Sequence, residues 1–323
     1  MRQSRPTRHW GSMPFVQNGI GTLDLPLGLD LESLQLYLSG NIVIGTAYTS
    51  VFSEGIARLM KRVEVVANGE VVANLTGPML LSGNFSRKGG VKKTNPGYTA
   101  TTHACEAVSM LDFAHVGGVR PKDSILRTSG FRQLQLRITW GAWADVFGGA
   151  GVVTSNTLAL RVALRETAEH GESGKPEVRR LYRTIEKTYA ASTQDRIPLD
   201  PNLLYRGLVI RAESAGELSG SVLTNAKVMV GNDVLFDLSE SQIDDLNFHD
   251  YDVAMPDGFY VIDFAPAPSG QARISDFLDT TGRNGDAFLI VDVVGGATNK
   301  LEILSHQFQV DHNAAEANRV RRG

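Results

Sequence analysis

Residues 63–75 read Val63-Glu-Val-Val-Ala-Asn-Gly-Glu-Val-Val-Ala-Asn-Leu75, and residues 226–238 read Ala226-Lys-Val-Met-Val-Gly-Asn-Asp-Val-Leu-Phe-Asp-Leu238. Aligned without a gap, Val65 meets Val228, Val71 meets Val234 and Leu75 meets Leu238. Glu70 meets Asp233, and the pair Asn68-Gly69 meets Gly231-Asn232. Each copy is an apolar run, two residues that tolerate positive φ, and a second apolar run, which is the pattern of a β-hairpin. The separation is too long for a solenoid, whose units repeat every ~20–50 residues. The repeat therefore predicts two similar domains in tandem.

The totals fit that division. At 323 residues the chain has room for two domains of about 100–200 residues. Hydrophobic residues make up 42%, enough for a sizeable core, while 21% charged residues and a net charge of −3 exclude a bulk-basic nucleic-acid binder and an acidic disordered chain. Cys105 is the single cysteine, so no intrachain disulfide forms and stability must come from packing or assembly. No apolar stretch of about 18 residues is present, and the N-terminus lacks the apolar middle of a secretory signal, so synthesis and folding in a cytoplasm are expected. Both tips are basic: Arg2, Arg5 and Arg8 at one end, Arg319, Arg321 and Arg322 at the other. Neither shows an apolar period. Both are read as mobile arms, and the N-terminal one as a candidate for an anionic lipid or nucleic-acid surface.

Along the chain, Leu34, Leu36 and Leu38 alternate with Gln35 and Tyr37; Gly40 interrupts, and Ile42 and Ile44 resume. Residues 133–140 and 157–164 alternate in the same way, as a half-buried antiparallel sheet requires. Residues 82–130 show little periodicity and read as a long surface excursion that carries contacts. Residues 165–192 are charged. Pro176 stands at a helix-start position, and Val178, Leu181, Tyr182, Ile185 and Tyr189 follow at helical spacing, predicting an amphipathic helix over 176–191 at the domain junction. In the second half, strands are expected at 204–211, 259–264, 287–293 and 301–304. Ser239 with Gln242 forms a capping box for a short helix near 240–247. The closing strand–turn–strand mirrors 133–164, so two features recur in one order. Strands at roughly 8–12-residue spacing with few helices argue for sandwiches rather than βαβ units, and each half has the length of an eight-stranded jelly roll.

Four segments resemble the double jelly-roll major capsid proteins of tailless icosahedral viruses with an internal membrane, the lineage that includes adenovirus hexon. They are Leu36–Ile44, Leu59–Gly69, Leu204–Ile210 and a C-terminal set of Gly258–Phe264, Leu278–Thr280 and Phe288–Val293. The resemblance implies an all-β chain of two tandem eight-stranded jelly-roll β-sandwiches with a few short helices and long surface loops. Its parts are a basic arm (1–14), a first jelly roll (15–168), a charged linker with a helix (169–192), a second jelly roll (193–311) and a basic tail (312–323). It implies a homotrimer forming a pseudo-hexagonal capsomer in a virion shell. The partners it implies are neighbouring capsomers, minor capsid or vertex proteins, and an inner membrane surface met by the arm of Arg2, Arg5 and Arg8. It implies no specific nucleic-acid site, no cofactor and no enzymatic activity.

Several residue types elsewhere in the chain could in principle carry chemistry. His103 and Cys105 lack further cysteines for a zinc site. His249, Asp250, Asp244 and Asp245 match no calcium loop. Gly148–Gly151 is glycine-rich but precedes no helix, and Arg87, Lys88, Lys92 and Lys93 flank Gly89-Gly90 without a Gly-Lys-Ser/Thr, so neither forms a phosphate cradle. Asp263, Asp279 and Asp292 could supply a glycosidase-like carboxylate pair only if two of them met. Trp10, Trp140 and Trp143 read as packing residues. The alternative is a two-domain β-sandwich carbohydrate-binding protein or glycosidase, since jelly rolls also host lectins. A minor virion component on the same sandwiches is a weaker one.

Overall fold

The structure is a computed structural model that describes residues 7–83, 92–114, 124–167, 178–265, 276–283 and 285–310. These divide into two units, one of residues up to 114 with those from 125 to 167, the other from 178 onward.

In the first unit the strands are β1 (Arg8–Pro14), β2 (Ile20–Asp24), β3 (Asp30–Thr46), β4 (Ser50–Val51), β5 (Met60–Ala67), β6 (Glu70–Leu75), β7 (Lys93–Thr94), β8 (Thr102–Asp112), β9 (Leu134–Trp140), β10 (Phe147–Gly148), β11 (Val152–Asn156) and β12 (Ala159–Thr167). Helix α1 (Gly77–Gly83) follows β6. One sheet runs β1-β12-β3-β8-β7, and a second set of antiparallel ladders runs β6-β5-β9-β2. The second unit contains β13 (Val178–Thr188), β14 (Thr193–Pro198), β15 (Leu204–Ser214), β16 (Glu217–Leu218), β17 (Leu223–Val230), β18 (Asp233–Ser239), helix α2 (Glu240–Tyr251), β19 (Phe259–Asp263), β20 (Leu278–Asp279), β21 (Ala287–Val293) and β22 (Lys300–Val310). Its ladders run β13-β22-β15-β19 and β14-β21-β17-β18.

With the two-residue strands left aside, and β11 as well, which only extends the ladder along β3, eight strands remain in each unit, and numbered in chain order they give the same two sheets, 1-8-3-6 and 2-7-4-5. That is a jelly-roll order, and it occurs twice. The hairpin that opens the sequence reading is strands four and five of each unit. Its turn is Asn68-Gly69 with φ of 50° and 88° in the first unit. In the second unit φ is positive only at Gly231, at 60°. These are the two primed turn types whose twist suits a hairpin. The equivalence extends to an irregularity. One residue of the fifth strand is skipped by the ladder, Val72 between the Val65↔Ala73 and Val66↔Val71 pairs, and Leu235 between Val228↔Phe236 and Met229↔Val234. Gapless alignment sets these two bulge residues on each other.

The alternating strands bury one face. In the first unit Leu34, Leu36, Leu38, Leu160, Val162 and Leu164 of one sheet are buried, as are Val63, Val65, Leu136 and Ile138 of the other. In the second unit Leu208, Ile210, Ala212, Ile262, Leu301 and Ile303 share a cluster with Ile197, Ala226, Val228, Leu289 and Val291 of the facing sheet. Such burial is the main stabilising term of a sandwich. Gly40 does not end its strand. β3 continues through it while its neighbour changes from β12 to β11. A Cβ there would lie 2.5 Å from the Thr157 carbonyl oxygen, so the switch requires glycine.

Four expectations are corrected. Residues 178–188 form strand β13, not a helix. The buried positions are Val178, Arg180 and Tyr182, a period of two, and Arg180 is enclosed with its guanidinium 4.8 Å from the Tyr182 ring and 5.5 Å from that of Phe308. The second jelly roll therefore begins at Val178 rather than 193. Residues 8–14 belong to the first jelly roll as β1 rather than to an arm. Finally, the stretch 82–130 is not all excursion. It contains β8, whose buried face is Cys105, Ala107, Ser109 and Leu111. Small and polar side chains on that face hid its period. Residues 84–91 and 115–123 of the same stretch, and the tail 312–323, lie outside the described residues.

Candidate functional site

The residues singled out for chemistry do not converge. Asp263 accepts from Tyr251 at 2.9 Å and pairs with Arg206 at 3.2 Å. Asp279 caps Thr281 N at 2.8 Å, and Asp292, on the other sheet, takes Gln194 Nε2 at 2.8 Å. Each carboxylate has its own partner, and Asp292 stands on a different sheet from the other two. His103 bonds the Thr99 carbonyl oxygen at 2.9 Å. Cys105 is buried with Sγ 3.5 Å from the Gly40 oxygen, and burial pushes its thiol up to about 12, so it is not a thiolate at neutral pH. His249 is exposed beside Asp250. Among the described residues no group of three His, Cys, Asp or Glu side chains is placed to hold a metal.

Gly151 packs against the Tyr48 ring, which stacks on Phe147 with centroids 4.3 Å apart, so the glycine-rich run accommodates an aromatic pair. Trp140 and Trp143 pack on Phe15 at 5.5 and 5.0 Å, and Trp10 donates to the Asp24 oxygen under Arg8. Lys92 lies 3.6 Å from Glu106, and Lys93 donates to the Ser53 oxygen. Arg87, Lys88, Arg2 and Arg5 lie outside the described residues. Arg8 does not hang free: its Nε is 2.8 Å from Glu166 Oε2, across the β1–β12 pair.

The charges around Arg211 in the second unit compensate one another. Arg211 meets Glu213 at 2.5 Å and bonds Glu302, and Lys300 lies 3.1 Å from Glu213. Lys300 also lies 3.8 Å from the exposed Glu186, so every charge of the cluster has a partner of opposite sign. Asp244 has its carboxyl raised to about 6, first by burial and then by Glu240, Asp257 and Asp245.

What remains are surfaces. On α2, Ile243 and Asn247 face inward one turn apart, while Leu246 and Phe248 are exposed. Asn247 donates from Nδ2 to the Val261 oxygen at 2.7 Å and accepts from Val261 N at 2.8 Å. It thereby satisfies both outward groups at one position of β19, the edge of its sheet. The capping box of Ser239 and Gln242 fixes where this helix starts: Ser239 N donates to Gln242 Oε1 at 3.0 Å. On β18, Val234 and the bulge residue Leu235 are both exposed. The sequence reading missed Asn247, Leu246, Phe248 and Leu235 as surface determinants. An asparagine inside a helix was the available signal, since it disfavours helix unless bonded elsewhere. Two bulky apolar residues off the inward stripe were another.

No protein-family model and no curated protein sequence matches the chain. Solved structures do. STIV MCP is similar with a TM-score of 0.72 at 13% identity, covering 95% of this chain and 97% of that one. The major capsid protein P2 of bacteriophage PM2 has a TM-score of 0.63 at 15% identity, with 95% and 97% covered. PBCV-1 VP54 has 0.64 at 12%, with 96% and 94% covered. At these identities the likeness establishes the fold: two jelly rolls in tandem along the whole chain.

Proposed function

We propose that this chain is the major capsid protein of an icosahedral virus, a structural subunit that trimerises into pseudo-hexagonal capsomers. One observation carries the reading. The strand order, the hairpin and its bulge occur twice, and the likeness to solved capsid proteins covers 95% of the chain and so takes in both units. Three copies bring six similar sandwiches around one axis, so one sequence makes many near-equivalent contacts. Obligate contacts of this kind bury on the order of 2,000 Å² or more. The reading requires no catalytic residue, cofactor or metal, and its partners are other copies, minor capsid or vertex proteins, and an internal membrane.

Electron microscopy of the purified chain at rising concentration tests it. Hexagonally tiled sheets or closed shells support the reading; dispersed single particles that bind a glycan array reject it in favour of a lectin. The membrane-facing role passes to Arg2 and Arg5, since Arg8 is bonded to Glu166. Flotation of the full chain with anionic vesicles, lost in Arg2→Ala/Arg5→Ala, is the expected result.

A further inference from the structure

Helix α2 carries carboxylates that no cation offsets. Glu240, Asp244 and Asp245 lie on its N-terminal half, and Asp257 comes from the loop that leads into β19. The loop ahead of β17 closes on the same place. A Cβ at Gly220 would lie 3.1 Å from Glu240 Oε1, 3.7 Å from the Tyr260 hydroxyl and 3.9 Å from Asp257 Cβ. Tyr260, fully buried on β19, donates to Glu240 Oε1 at 3.2 Å. Asp244 Oδ1 is enclosed and has no hydrogen-bond donor among the described residues. The strands packed against α2 bring no free cation to it. Lys227 of β17 stands 3.2 Å from Asp237 of β18, and β18 otherwise adds only Asp233. On β19, Asp263 is taken by Arg206 and Tyr251. His249 of the helix itself is exposed beside Asp250.

An enclosed carboxylate oxygen without a donor, among other carboxylates, favours the protonated acid. We infer that α2 is a proton-held strap on the edge of β19: protonated Asp244 keeps the N-terminal half of the helix seated, and ionised Asp244 lets that half lift. The far end stays tied by the Tyr251 hydroxyl, 2.9 Å from Asp263. Ile243 is fully buried under the same half, so the lifted form is a minor excursion whose frequency the proton sets. Lifting draws Asn247 away from Val261 and leaves the N–H and C=O of that edge position open. The seated carboxyl is raised to about 6, first by burial and then by Glu240, Asp257 and Asp245. The hold is therefore complete below the lifted-state value of about 4 and is lost as pH rises through about 6. That difference allows at most about a 100-fold change in the opening equilibrium, and about tenfold after allowance for solvent screening. The strap acts within one chain, so it operates whether or not copies assemble.

Residue-resolved amide exchange of the full-length chain from pH 4 to pH 8, corrected for the intrinsic rate at each pH, tests the strap. The amides of residues 244–247 and of Val261 should exchange about 10- to 100-fold faster at pH 7 than at pH 4 on that corrected scale, while those of β22 do not change. Asp244→Asn should keep these amides at their low-pH protection throughout. Asp257→Asn retains Asp244 but removes a neighbouring charge, so the rise should persist and level off at a lower pH. This second variant decides if Asp244→Asn fails to fold. Corrected exchange in α2 that is equal at pH 4 and pH 7 overturns the strap. So does a rise that survives in Asp244→Asn, one that levels off at the parent's pH in Asp257→Asn, or one shared by β22.

Discussion

Replacing Asn247 by leucine removes both bonds to Val261 while keeping a similar side-chain volume. Asn247 is 1% exposed, so the Val261 N–H and C=O lose their partners in an enclosed site. An unsatisfied buried group costs roughly 1–3 kcal/mol; with two such groups and some water reaching an edge strand, the expected loss is about 2–4 kcal/mol. At an m-value of about 2 kcal/mol/M, the urea midpoint of the second unit falls by about 1–2 M. Fluorescence or circular dichroism across a urea series reads this shift, and amide exchange at Val261 should lose its protection. Asn247→Asp separates the hydrogen-bond role from packing. At neutral pH its carboxylate accepts from Val261 N but opposes the Val261 oxygen. That contact raises the carboxyl pKa in the folded state above its unfolded value. The variant is therefore least stable above the folded pKa and recovers as pH falls through that value, the recovery being complete below the unfolded carboxyl value of about 4. A leucine variant as stable as the parent with Val261 still protected, or an aspartate variant without acid recovery relative to the parent, would refute the capping argument.

Three further outcomes follow from the geometry. Gly40→Ala drives a methyl group into the Thr157 oxygen at a φ of 154° and should cost about 2–4 kcal/mol in melting experiments, whereas Gly69→Ala, with open space but a φ of 88°, should cost only about 1 kcal/mol. Cys105 should ignore thiol reagents at pH 8 in the folded protein and react once urea opens β8, since its thiol is raised to about 12; rapid labelling of the native chain would contradict its burial. Asp244 has a folded pKa raised to about 6, so its ionisation opposes folding: the stabilising contribution is complete below the unfolded carboxyl value and is lost as pH rises through about 6. Asp244→Asn should therefore gain about 1 kcal/mol at pH 7 after allowance for solvent screening, and nothing near pH 3, in melting curves taken at both.

The parts legible in sequence were those where side-chain period and burial coincide. The paired hairpins, the Leu34–Leu38 alternation and the Ser239/Gln242 cap appear in the structure where the sequence places them. The failures have separate local causes. Arg180 inside β13 broke the period of two and left a helical spacing among its apolar neighbours. In β8, Cys105, Ala107 and Ser109 turn inward while Val108 and Met110 are only half-covered, which inverts the usual signal. Arg8 and His9 looked like a solvated tail, but Arg8 lies in a ladder and is neutralised by Glu166. The exposure of Leu235 was invisible because its aligned partner Val72 is buried.

Native mass by light scattering after size-exclusion chromatography tests the central claim most directly. The account predicts a species three times the 35.0 kDa chain mass that survives dilution. A monomer that persists as concentration rises would contradict it.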